Sequence, residues 1–345
     1  MKFEIVHKFI SKKVPLTISR ETITGQNNIF LKIHHEGYIG IGETVFDLDI
    51  EKSIRKVSQF LESYDDYSPV KAWEDAFEFG LNSCEVALID TALWDLLAKK
   101  SNMPLHQLLG LEYSSPKTSI TVSIGEPSWV YERTVTILKD YNPSILKIKL
   151  GTKDGIEKDK ASIISIKKAI SDYGKQDLEL FVDANGGWSL EDAKEMISWL
   201  ADQGIIFVEQ PLAPEDNCLL KELCVDRKIP IYVDESCCFA SDLQHLHEAV
   251  DGVNIKLLKC GGITEALRII HAARAFDLDV MMGCFGETAG SLTAATSLSS
   301  LLDYVDLDSF INLEMETFAS YKANLSYSEG RLHYKGDKGI GVGYE

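Results

Sequence analysis

"LELFVDANGGWSLEDAKEMISWLADQGIIFVEQPL" (residues 178–212) contains two short apolar runs, each closed by a carboxylate, with a helical stretch between them. "LELFVD" (178–183) and "IIFVE" (205–209) have the length and composition of buried strands. The same unit recurs on both sides, in "TSITVSI" (118–124), "ILKIKL" (145–150), "PIYVD" (230–234), "GVNIKL" (252–257), "DVMMGC" (279–284) and "YVDLDSF" (304–310). The strand ends at 183, 209 and 234 are 26 and 25 residues apart. Eight strands, most followed by a helical segment, predict a parallel (β/α)7β barrel of the TIM type over residues 116–314. A doubly wound open sheet would carry a Gly-rich phosphate loop after its first strand, and "VSIGEPSW" (122–129) has none.

Residues 1–115 do not share this rhythm. "KFEIVHKFI" (2–10), "NIFLKIHHEG" (28–37) and "YIGIGET" (38–44) read as antiparallel strands. "NSCEVALIDTALWDLLAKK" (82–100) reads as an amphipathic helix with Asn82 or Ser83 as cap and Glu85 completing a capping box. This part is expected to form a small α+β capping domain, with the tail 315–345 packed back onto it.

Composition limits the function. The chain has 345 residues, 45% hydrophobic and 26% charged, with a net charge of −18. That charge argues against nucleic acid or an anionic membrane as partner. No apolar run approaches the roughly 20 residues that span a bilayer, and "MKFEIVHKFISKK" (1–13) carries charges through any signal core. The seven cysteines form no CxxC pair, which suits reduced thiols and a cytoplasmic location.

In such a barrel the active site lies at the C-terminal ends of the strands. Asp183, Glu209 and Asp234 end the third, fourth and fifth strands. One such residue could simply cap the next helix, but three in consecutive units converge on a point where they would repel one another. A hard divalent cation resolves this, and oxygen ligands favour Mg²⁺, with Mn²⁺ as the alternative, over Zn²⁺. Lys147 and Lys149 share one face of the second strand, about 6–7 Å apart. Their repulsion, about 2.5 kcal/mol at an effective dielectric near 20, is expected to move a lysine toward the range of a base near neutrality. Lys256 lies four strands from Lys149, on the opposite wall. A substrate held between them would present one amine to each face of its reacting carbon, which suits removal of a proton from one side and its return to the other. A metal stabilises the enediolate charge that develops when the carbon beside a carboxylate loses that proton.

The set "KIK" (147–149), "DAN" (183–185), "VEQP" (208–211), "DES" (234–236) and "NIK" (254–256) resembles the muconate-lactonizing-enzyme subgroup of the enolase superfamily. "ALIDTALWDLLAKKSNMPLHQLLG" (87–110) is similar to the helix that joins that family's capping domain to its barrel. The resemblance implies Mg²⁺ on Asp183, Glu209 and Asp234, acid/base roles for Lys149 and Lys256, and a tuning role for Lys147. Asn185, Gln210 and Glu235 would support the ligands. The subgroup includes cycloisomerases, o-succinylbenzoate synthases, N-acylamino acid racemases and dipeptide epimerases. Asp306-x-Asp308 on the eighth strand is similar to the DxD pattern by which dipeptide epimerases bind the free α-ammonium group, which the other substrates lack. Arg20, in "PLTISRET" (15–22), stands where family members acting on Ala–Glu place a cation. Ser123, Cys284 and Glu287 are further candidates to meet substrate, the last two from "GCFGETAGS" (283–291).

The expectation is a Mg²⁺-dependent dipeptide epimerase, with L-Ala-D/L-Glu as first substrate and recycling of cell-wall peptide as context. The alternatives are an N-acylamino acid racemase or o-succinylbenzoate synthase, then a Schiff-base lyase using a lysine amine, then a barrel that only binds ligands. The expected partner is a small dipeptide, and a homo-oligomer stays open.

Overall fold

The computed structural model describes residues 1–46, 49–314, 321–334 and 338–344. The chain opens with a three-stranded antiparallel sheet, β1 (Lys2–Thr17), β2 (Thr22–His35) and β3 (Tyr38–Phe46). Helices α1 (Ile50–Ser63), α2 (Pro69–Glu78) and α3 (Ser83–Lys100) follow, then the single turn α4 (Leu105–Leu108). Asn82 caps α3 and Glu85 reaches back to the Asn82 N–H, the capping box the sequence implies. The sheet packs on α3 through Ile29, Leu31, Ile33, Leu88, Ile89 and Leu93. Gly40 and Gly42 let β3 lie directly on the α3 backbone: a Cβ at Gly42 would fall 2.0 Å from the Leu88 carbonyl oxygen.

The barrel strands and helices alternate as β4 (Ser119–Val122), α5 (Pro127–Tyr141), β5 (Ile145–Lys149), α6 (Ile156–Tyr173), β6 (Glu179–Asp183), α7 (Leu190–Asp202) and β7 (Val208–Glu209). They continue as α8 (Leu220–Cys224), β8 (Ile231–Val233), α9 (Leu243–Leu246), β9 (Gly252–Ile255), α10 (Leu257–Cys260), α11 (Ile263–Ala275), β10 (Asp279–Gly283), α12 (Ala289–Thr296) and β11 (Tyr304–Asp306). The eight strands pair in parallel, in sequence order from β4 to β11. Outward residues such as Val182, Val208, Ile231 and Val253 join the helices in the main core. Inward residues form layers. Ile145, Phe181, Phe207, Tyr232 and Met281 make an apolar floor, with the Phe207 ring stacked 4.5 Å from Phe181 and 4.3 Å from Tyr232. One pleat higher, the same strands turn Lys147, Asp183, Glu209 and Asp234 into the barrel, because alternate residues face the same side.

Register fixes the height of these groups: Lys149 pairs with Asp183, and Asp183 with Glu209. Among the described residues no backbone ladder joins β4 to β11. That seam is closed by side chains instead. Thr118 Oγ1 accepts from the Leu307 N–H, Asp308 from the Thr121 N–H, and Ser119 Oγ donates to Asp306.

The first domain covers the barrel through buried carboxylates seated at helix starts. Asp90 of α3 accepts from Thr264 N–H and Oγ1 at the start of α11. Glu43 of β3 accepts from Thr288 N–H and Oγ1 and from Ser291 N–H at the start of α12. Residues 315–320, where the tail was expected to begin, lie outside the described residues. Beyond them, β12 (Tyr321–Ala323) pairs with β15 (Val342–Tyr344), and β13 (Leu325–Ser328) with β14 (Arg331–Tyr334). The tail touches both parts: Ile340 N–H donates to Asp95 of α3, while Thr118 N–H, just before β4, donates to Gly330 O.

Candidate active site

Asp183, Glu209 and Asp234 each offer an oxygen, and these oxygens lie within 4.8 Å of one another. All three residues have no measurable exposure. Four ammonium groups face them. Lys149 Nζ lies 2.5 Å from Asp183 Oδ2 and Lys256 Nζ 2.6 Å from Asp234 Oδ2, one at each end of the arc. Lys147 Nζ stands in the middle, 3.0 Å from Asp183, 2.8 Å from Glu209 and 2.8 Å from Asp306. Lys259 Nζ holds the Asp234 carboxylate and carbonyl and the Asn254 carbonyl.

These neighbours correct the reading of the lysine pair. Burial by itself would pull a proton off Lys147, but Asp183, Asp306 and Glu209 more than offset that and hold it well above the ordinary lysine range. For Lys147, then, repulsion by Lys149 is not the governing effect; the carboxylates are. Burial would likewise raise Asp183 and Asp234, yet the lysines around each hold both well below the ordinary carboxylate range. Glu209 is pushed up, by burial first and then by Asp183. Burial opposes the charge on Lys256, and Asp234 restores it, leaving the group above its ordinary value.

The trio suits a divalent cation. Its donors are all carboxylate oxygens, the hard set that Mg²⁺ prefers. Glu209 Oε2 and Asp234 Oδ2 accept no well-directed hydrogen bond although ammonium groups stand within 2.8 and 2.6 Å. Buried oxygens in native proteins are rarely left so.

The predicted supporting residues surround the trio. Asn185 donates its N–H to Asp183 and its amide to Asp183 and Glu235. Gln210 donates to Leu212 O and Ser236 Oγ and accepts from the Asp234 and Ser236 N–H groups. Both sit at positive φ, 45° and 40°, where the chain turns sharply out of β6 and β7. Glu235 accepts from Arg20 at 2.8 Å. Arg20 thus lies at the mouth, on the β1–β2 turn, with its guanidinium already on a carboxylate. Ser19 Oγ beside it donates to Asn185 O.

A cavity of ≈ 100 Å³ opens beside Lys149 and Lys147, and Ser123, Cys284, Asp306 and Asp308 line it. Burial and Asp306 push Asp308 up to about 6. Cys284 Sγ points at the Asp306 carbonyl, 3.3 Å away. Glu287 is buried and accepts from the Phe285 N–H, so it shapes the turn after β10. The turn in turn sets Phe285, whose ring centre is 4.5 Å from Lys256 Nζ.

Lys259 and Phe285 were not singled out in the sequence. Lys259 had a signal: it stands three residues after Lys256 at the start of a helical turn, a spacing that puts both on one side. Phe285 had none, because its place depends on the turn after β10.

Family models match almost the whole chain. The mandelate racemase / muconate lactonizing enzyme N-terminal domain matches residues 1–110, and the enolase C-terminal domain-like model matches 132–345. The chain belongs to the enolase superfamily. A hydrophobic dipeptide epimerase of Roseobacter litoralis is 42% identical over 319 residues, covering 91% of this chain and 92% of that one. An L-Ala-D/L-Glu epimerase of Bacteroides thetaiotaomicron is 30% identical, covering 94% and 83%. The structure of a dipeptide epimerase from Enterococcus faecalis V583, complexed with Mg and L-Leu-L-Tyr, superposes with a TM-score of 0.89 at 31% identity, covering 99% of both chains.

Proposed function

We propose that this protein is a Mg²⁺-dependent dipeptide epimerase, an isomerase that inverts the α-carbon of the second residue of a dipeptide. The observation that carries the reading is the placement of Lys149 and Lys256 at opposite ends of one carboxylate arc, each ammonium within 2.6 Å of a member of the trio. In this reading residues 1–115 and the tail from 315 cap a barrel of residues 116–314.

Asp183, Glu209 and Asp234 would hold the ion. When bound, Mg²⁺ offsets the negative charge that builds on the substrate carboxylate as the α-proton leaves. Lys149 and Lys256 act on opposite faces of the α-carbon: one, as the neutral amine, takes the proton, and the other, as ammonium, returns one to the far side. Inversion requires both, and reversal exchanges their roles. Lys147 stays charged throughout and fixes Asp183, Glu209 and Asp306 in place. Asp306 and Asp308 hold the α-ammonium of the first residue, and this contact separates a dipeptide from an N-acylamino acid or succinylbenzoate.

L-Ala-D/L-Glu is the first candidate, with Arg20 as partner for the Glu side chain. An apolar second residue is the other reading, since Arg20 already pairs with Glu235 and the half-exposed Phe285 stands beside Lys256. The name of the relative at 42% identity supports the same choice. We place the protein in the cytoplasm, in recycling of cell-wall peptides. All seven cysteines are free, which suits a reducing compartment. Among the described residues no helix is long and apolar enough to cross a membrane.

Proton exchange at the α-carbon in D₂O tests the reading. L-Ala-L-Glu, L-Ala-L-Leu and their N-acetyl derivatives are followed by NMR with and without EDTA. Exchange and inversion of free dipeptides, lost with EDTA and restored by Mg²⁺, are expected. Equal turnover of N-acetylated substrates would remove the role given to Asp306 and Asp308; borohydride trapping with EDTA-insensitive activity would favour the lyase.

A further inference from the structure

The cavity beside Lys149 does not end inside the barrel. Its lining runs along the β4–β11 seam and includes Thr121 and Asp306 of the inner face and Ile120 and Arg133 of the helix side. Arg133 lies on α5 beside the buried Val130, Thr134 and Ile137 that face the strands. It is only partly buried, and among the described residues it makes no ion pair and no hydrogen bond. In a chain with 53 acidic and 35 basic residues, this arginine faces the cavity with no carboxylate partner among the described residues. Lys12 and Lys13 add positive charge to the same wall.

The geometry points to a substrate whose first residue carries a carboxylate side chain, Glu foremost, read by Arg133. The inference rests on the dipeptide reading above. With the α-ammonium on Asp306 and Asp308 and the second α-carbon between Lys149 and Lys256, the first side chain lies along the cavity wall that Arg133 lines. Its stem meets Leu16, Ile120 and Ile311, and its end meets the guanidinium. A planar guanidinium takes a carboxylate in two parallel hydrogen bonds, a geometry that neither an amide nor an ammonium can copy. The longer Glu side chain reaches farther past the apolar part than Asp does.

The test compares kcat/KM for α-proton exchange with L-Glu, L-Gln, L-Lys and L-Ala as first residue, each ahead of both L-Leu and L-Glu. L-Glu is expected to exceed its isostere L-Gln by roughly tenfold or more, the value of one charge-assisted contact. Arg133→Gln is expected to erase that ratio by lowering the L-Glu substrates alone, leaving L-Ala substrates and the pH profile unchanged, and Arg133→Lys to restore part of it. Equal rates for L-Glu and L-Gln, or a uniform fall across all substrates in Arg133→Gln, would overturn the assignment while leaving the epimerase reading intact. Absence of exchange with every dipeptide would overturn both.

Discussion

Lys147 is the residue whose surroundings say most about the site. It is the largest charged side chain among the fully buried ones, and it replaces with one charge the contacts that three carboxylates would otherwise lack. Taking one member out of a buried ion cluster costs about 3–5 kcal/mol, because the opposite charges stay buried and unpaired. Lys147→Met is therefore expected to destabilise the protein by about that much in EDTA, read from urea unfolding. Saturating Mg²⁺ should narrow the gap, since a divalent ion supplies the charge the variant lacks; an identical gap with and without Mg²⁺ would contradict a metal role for the trio. Lys149→Met and Lys256→Met are expected to keep their fold by circular dichroism and to lose epimerisation by roughly 10³-fold, within the range of general acid–base catalysis. At this scale the sequence displayed which side chains meet, because carboxylates and lysines at the ends of apolar strands stand out from their background. It did not display their electrostatics. Spacing along one strand shows Lys149 as the neighbour of Lys147, while the partners that govern its proton come from β6, β7 and β11.

The elements were legible where periodicity is strong. The barrel strands and α3 fall where the apolar patterns put them, and Asn82 caps α3. Less visible were features that depend on two elements meeting. Asp308 follows β11 rather than lying in it, and its carboxylate is spent partly on the Thr121 N–H across the seam. Asp90 looks like any polar position in "ALIDTALWDLL" until α11 is placed on it. The glycines of "YIGIGET" could pass for loose strand residues, yet they set how closely β3 approaches α3. Gly42→Ala would drive a methyl group into the Leu88 carbonyl and against Ala92 N. Backbone cannot step aside as a side chain can, so a cost of about 3 kcal/mol, the upper part of the range for overpacking, is expected in denaturant unfolding. A variant as stable as the native chain would mean that β3 and α3 are not in backbone contact.

On the scale of the whole molecule, the cap and the barrel meet through Glu43 and Asp90, each buried at the start of a barrel helix. Burial pushes both up to about 7, against the donors that each accepts. In the unfolded chain both would lose their protons near pH 4. Between those values the folded protein holds protons that the unfolded chain has released. Stability from these two groups is thus complete below pH 4 and falls as pH rises toward 7, by roughly 3–4 kcal/mol per group as an upper figure. Asp183 and Asp234, whose values are lowered, act only at more acidic pH, and Lys256, whose value is raised, only at alkaline pH. Glu209 titrates in the same window but contributes equally to native and variant chains, so it cancels in a comparison. Urea unfolding of the native chain and of the double variant Glu43→Gln/Asp90→Asn at pH 5.5 and 8 isolates the effect. The variant, which has no proton to lose at either site, is expected to be the weaker at pH 5.5, since its amides donate where the carboxyls accept. It should gain several kcal/mol on the native chain by pH 8. A gap that stays constant with pH would show that the two carboxyls do not hold their protons in the folded protein, and that the cap is fastened by charge rather than by neutral hydrogen bonds.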